Sequence, residues 1–229
     1  MPIALVQSGG ATANNPTVTL PSAPTPGNLL ITTFVATNNG GSASAVYNAF
    51  SGWTTVRTNV AAKADGAFKS AMYYRPVQPG DPAAWTSPGM SQAVGHRFFL
   101  SEWAGTLNLL NASAEGSPGT GNPVPSGTLM PTPGNDGLLY AVFCATAGGS
   151  MTPPIGWTEV DDSVVGFSDA AVAYFLALPT IGSYTPTAVH SAGASDRNGI
   201  SAAFLAAATA PPSGDGDPGA WLGDYMRIE

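Results

Sequence analysis

The chain has 229 residues, of which 44% are apolar and only 9% charged, with a formal net charge of −7. The apolar share excludes a disordered chain, and the shortage of Lys and Arg excludes counterion-driven binding to nucleic acid. With 28 Gly and 21 Pro, long helices are disfavoured and a turn-rich β protein is expected, its surface kept wet by Ser, Thr and Asn rather than by charge.

From the N-terminus, Met1-Pro2-Ile3-Ala4-Leu5-Val6 has no basic flank and too short an apolar stretch for a signal peptide. No run approaches the roughly 20 apolar residues needed to cross a bilayer, so no membrane insertion is expected. Asn15 to Leu20 alternates polar and apolar residues as a half-buried strand does. Pro24-Thr25-Pro26-Gly27-Asn28 then leads into the strand-like run Leu29 to Thr37. Gly52-Trp53-Thr54 follows, then a strand from Phe68 to Arg75 stopped by Pro76, then Trp85-Thr86 and a closing apolar strand from Phe98 to Trp103.

The same landmarks return in the same order. Pro131-Thr132-Pro133-Gly134-Asn135 precedes Leu138 to Thr146, Gly156-Trp157-Thr158 matches the first Gly-Trp-Thr, and Ala173-Tyr174-Phe175 answers Met72-Tyr73-Tyr74. Tyr184-Thr185 echoes Trp85-Thr86, and Ile200 to Leu205 echoes the closing strand. Ordered self-similarity of this kind is the mark of a duplicated unit. Trp53 and Trp157, recurring behind a Gly, are expected as core wedges in equivalent positions. Ala202 to Thr209 is compatible with a helix, but it mirrors a strand of the first half and is read as strand.

The pattern predicts an all-β protein, a jelly-roll-like antiparallel β-sandwich built from pseudo-repeat halves at about 1–108 and 109–208. Two arrangements remain open: two tandem sandwiches, or one body over 1–208 whose halves share a core. The intervening segment Gly105 to Ser126 carries Leu107, Leu109, Leu110 and Val124, which a free linker does not need, and this favours one body. Residues 209–229 change character: a Pro/Gly/Asp spacer precedes Trp221, Leu222, Tyr225, Met226 and Ile228, and reads as a C-terminal docking peptide.

Little in the chain suggests catalysis. The two histidines, His96 and His190, occupy different places in the halves and have no second ligand at metal spacing, so neither a metal nor a cofactor is expected. His190, Ser191 and Asp196 lie close in sequence without a nucleophile elbow and read as a turn. Glu102, on a strand face with Phe98 and Leu100, is read as structurally paired, with Arg75 or Arg97 as partners; Ala203 or Phe204 stands at its place in the second half, which leaves no carboxylate pair for glycoside hydrolysis. Cys144, the lone cysteine, is read as a buried thiol. Trp85, Tyr47 and Asn48 are candidates for an aromatic platform contacting a glycan.

The repeated P-T-P-G-N, the Leu29-Leu30 and Leu138-Leu139 starts, the two Gly-Trp-Thr triplets and the aromatic pairs resemble a group of β-sandwich proteins of bacteriophages, prophages and some bacterial surfaces, over about residues 1 to 208. The resemblance rests on fold-forming residues and implies a context, not an active site. It implies a non-enzymatic structural component of a virion, made in the host cytoplasm and displayed on the head or tail as decoration, fibre or spike. Other virion proteins and further copies of the chain in a homo-oligomer are then the expected partners. A carbohydrate-binding module engaging a cell-surface glycan for host attachment is the alternative, and a polysaccharide depolymerase is disfavoured for want of paired acids.

Overall fold

A computed structural model describes residues 3–37, 46–61, 68–89, 95–105, 107–131, 137–145, 149–161, 170–178, 183–191 and 196–206. Among them there is no helix, and every strand pairing is antiparallel. The first half holds β1 (Ala4–Ala13), β2 (Thr17–Thr19), β3 (Leu29–Thr37), β4 (Thr54–Ala61), β5 (Phe68–Pro76), β6 (Ala84–Thr86) and β7 (Gly95–Ala104). The second holds β8 (Leu107–Glu115), β9 (Gly119–Thr120), β10 (Val124–Pro125), β11 (Gly137–Ala145), β12 (Met151–Thr152), β13 (Thr158–Asp161), β14 (Ala170–Leu178), β15 (Thr187–His190) and β16 (Asp196–Ala206).

Each half makes its own large sheet, ordered β1-β7-β3-β5-β4 in one and β8-β16-β11-β14-β13 in the other. Within the first half the pairings nest as β1 with β7, β2 with β6 and β3 with β5, the ladder of a hairpin rolled onto itself that defines a jelly roll. The second half repeats this nesting in β8 with β16, β10 with β15 and β11 with β14. Small features repeat as well. Thr17 Oγ1 lies 2.8 Å from Thr86 Oγ1, and Thr128 Oγ1 lies 2.9 Å from Thr185 Oγ1. Beside each threonine pair, Val18 opposes Trp85 and Leu129 opposes Tyr184.

The sheets pack face to face. Alternation along β3 and β11 sends Leu29, Ile31 and Val35 from one side, and Leu138, Tyr140, Val142 and Cys144 from the other, into a single buried cluster with Phe99, Trp103, Ile200 and Phe204. Aromatic contacts across this layer come in matched pairs. Trp103 meets Phe175 edge-on at 4.8 Å, while Phe204, which holds the place of Trp103 opposite the first leucine of the strand, meets Tyr74 at 5.4 Å. The shared layer, rather than Trp53 or Trp157, contains the fully buried indole, that of Trp103. Polar contacts close the edges: Arg57 of β4 donates to the Ser113 hydroxyl and carbonyl of β8, and Ser8 of β1 donates to the Val160 carbonyl of β13.

The outward faces are covered by short ribbons. In the first half β2 and β6 lay Val18 and Trp85 over Leu30, Phe34, Phe98 and Leu100. In the second, Val124 and Ala188 cover Ala141 and Phe143, while Leu129 and Tyr184 cover Leu139 and Ala203. The segment after Gly105 is thus the first strand of the second sheet, and β8 begins at Leu107.

Candidate functional site

The distinctive chemistry lies where each ribbon meets the Gly-Trp turn. In both halves the turn is the same: Gly52 and Gly156 take φ of +79° and +83°, and the following Trp N–H donates to the carbonyl three residues back, Phe50 or Pro154, at 3.1 Å. Only glycine adopts that φ without strain, which is why a Gly precedes each Trp. The turn delivers the indole to the rim of the ribbon, so Trp53 and Trp157 are half-buried in equivalent places, not the central wedges the repeat suggested.

In the first half the rim is filled. The Arg75 guanidinium lies 4.9 Å from the ring centre of Trp85 and 5.8 Å from that of Trp53, with the two indoles edge to face and Phe50 stacked on Trp53 at 4.8 Å. Asp81 accepts two bonds from Arg75 Nη2, at 2.8 and 3.0 Å. Cation–π contact and a nearly buried ion pair thereby lock the arginine in as part of the wall.

In the second half the register puts Leu176 opposite Leu139, where the first half puts Arg75 opposite Leu30. Tyr184 stands for Trp85 and Pro154 for Phe50. Leu176 packs against the cluster of Leu129 and Leu139, and a cleft of about 460 Å³ lies between the Pro153–Trp157 turn and the Ser183–Val189 segment. Among the described residues none that lines it is charged, and Ile155 and Val189 stand exposed at its mouth.

The expected glycan platform does not assemble. Tyr47 is buried against Phe34 and His96, its hydroxyl donating to the Lys69 carbonyl, and burial pushes its phenol well above the usual range. Asn48 is exposed but is used locally, its side-chain amide donating to the Pro88 carbonyl. Trp85 is capped by Arg75, so none of the three offers a ring face flanked by amides. The docking residues Trp221, Leu222, Tyr225, Met226 and Ile228 lie outside the described residues.

Glu102 is paired, but not with arginine. Its carboxylate is fully buried and accepts from the Thr25 N–H at 2.8 Å, from Asn28 Nδ2 at 2.6 Å and from Gln7 Nε2 at 2.5 Å. Arg75 is committed to Asp81, and Arg97 lies over the Phe99 ring. The carboxylate ties the P-T-P-G-N turn to the β1–β7 ladder. His190 is buried in β15, while Ser191 is exposed and accepts from the Ser150 N–H at 2.9 Å, so the two do not form a relay. Among the described residues no group of His, Cys, Asp and Glu is placed to hold a metal ion, and no helix is long and apolar enough to cross a membrane. Cys144 is buried, its thiol directed at the Asn198 carbonyl.

Comparison of the chain with protein families, curated proteins and solved structures returned no match.

The residue difference that fills one rim with an arginine was not picked out by sequence reasoning. The signal was one position beyond a match already made: with Tyr73-Tyr74 laid on Tyr174-Phe175, the next residues are Arg75 and Leu176.

Proposed function

We propose that the protein is a non-enzymatic structural component of a phage-like particle, displayed on the head or tail surface as a decoration, fibre or spike element. The observation that supports this reading best is the construction of the body. Two jelly-roll units bury one apolar layer between them, and among the described residues that layer draws on both halves, from Leu29 to Phe204. The spacer and the apolar tail after residue 208 differ in composition from that body, and we assign them to docking on other virion proteins or on further copies. Five large apolar side chains near the C-terminus, each stabilised by roughly 1.5–3 kcal/mol on burial, favour a covered over a solvated tail.

The test is incorporation. An epitope-tagged full chain should co-sediment with purified particles and label their exterior in electron micrographs. Removal of residues 210–229 should leave a folded, soluble body that stays off the particle. Unchanged incorporation, or no association of the full chain with particles, defeats the reading.

A further inference from the structure

We infer that the open cleft of the second half is a binding site for a neutral saccharide chain. This goes beyond a structural role. It rests on a difference between two copies of one framework: Arg75 fills the rim between Trp53 and Trp85 in the first, whereas in the second a cleft of about 460 Å³ lies beside Trp157 and Tyr184, within the range of small-ligand sites.

The lining selects the ligand class. A sugar ring offers an apolar C–H face and a rim of hydroxyls that both donate and accept. The cleft is lined by the half-buried Trp157 and Tyr184 for the face, and for the rim by Ser183 and Thr187, whose hydroxyls both donate and accept, and by Thr185, whose hydroxyl is already paired with that of Thr128. A polyproline strand brings only acceptors and would leave half of that capacity unused. With no charged residue among the described residues of the lining, an acidic sugar gains no counter-ion and loses hydration on entry. The cleft is open at the exposed Ile155 and Val189, which suits a chain passing through rather than an enclosed monosaccharide.

The experiment uses the full chain on an array of neutral and acidic oligosaccharides. Titration by calorimetry and tryptophan fluorescence then follows, with hexamers of glucose and of N-acetylglucosamine, and with decaproline as the peptide control. Saturable binding to a neutral oligosaccharide is expected. Ile155→Arg, on a fully exposed side chain that leaves the core intact, should weaken it at least tenfold, and Trp157→Phe should remove the ligand-induced fluorescence change. Trp85→Phe, in the filled rim, should leave affinity within twofold. Absence of binding across the array, preference for acidic sugars or for decaproline, or loss in Trp85→Phe but not in Ile155→Arg would each overturn the proposal. None of these outcomes alters particle incorporation, so this site and the structural role fail separately.

Discussion

The two halves share strand order, the Gly-Trp turn and even the exposed threonine pair at the ribbon, yet one presents a filled rim and the other a cleft. The difference comes down to a few side chains. Arg75 with Asp81 and two indoles makes a wall; in the second half Leu176 holds the place of Arg75 and packs against the cluster of Leu129 and Leu139, while Pro154 and Tyr184 line a cleft. A duplicated β framework is held by its shared core and its turns, so residues at the ribbon rim are released to diverge. Function is expected to diverge where the framework does not depend on the side chain.

The sharpest challenge to this comparison is aimed at what the halves hold in common. If the central layer is one core, Trp103→Ala from the first half and Phe204→Ala from the second should each cost about 3–5 kcal/mol and lower a single unfolding transition. Two calorimetric transitions, only one of them moved by each substitution, would show halves that unfold independently.

Next in size is an asymmetry. Glu102 faces Gln7 across the β1–β7 ladder, whereas at the matching place Ala203 faces Ala112. Glu102→Ala removes a buried acceptor of three hydrogen bonds, from Thr25 N–H, Asn28 Nδ2 and Gln7 Nε2, and should cost about 2–3 kcal/mol in denaturant unfolding. A loss under about 0.5 kcal/mol, the range of ordinary surface changes, would mean that the P-T-P-G-N turn holds without it.

Arg75→Leu makes the first rim resemble the second. Loss of the ion pair and of the cation–π contacts should destabilise the chain by about 1–2 kcal/mol, and the fluorescence of Trp53 and Trp85 should shift to the red as water enters. An unchanged spectrum would show that the neighbours collapse into the space and that the arginine alone does not keep the halves different.

The smallest effect is confined to acid. Burial lowers the His96 pKa below its usual value, so the unfolded chain binds the proton more readily. His96 then contributes stability that is fully present above its unfolded pKa, about 6.5, and is lost as pH falls from there through the folded value. His96→Phe, which keeps a ring against Tyr47, should flatten that part of the stability profile below about pH 6.5. A profile identical to that of the parent chain would remove His96 from the account.

Several features were legible from residues alone because they have local causes. Proline and glycine mark the turns, short apolar runs mark β3, β7, β11 and β16, alternation marks β2, and Gly-Trp-Thr recurs in both halves. The strand β1 was harder to see. Its Ser8-Gly9-Gly10-Ala11 stretch has little strand propensity and is held by its ladder with β7, and a side chain at Gly9 would come within 3.1 Å of Val18. The partners of Glu102 were misread because opposite charge was taken as the rule. Register instead brings a glutamine and a turn amide to a carboxylate that arginine does not reach.

What the sequence by itself determined is the all-β, antiparallel class and the low-charge, turn-rich character of the chain, because side-chain period and turn chemistry are written residue by residue. Only the tertiary structure decided that the two sheets close on one another, that Trp103 rather than Trp53 or Trp157 fills the centre, and that the second rim is open. Those outcomes depend on which side chains from distant strands arrive at the same place, and on whether the one that arrives is long enough to fill it.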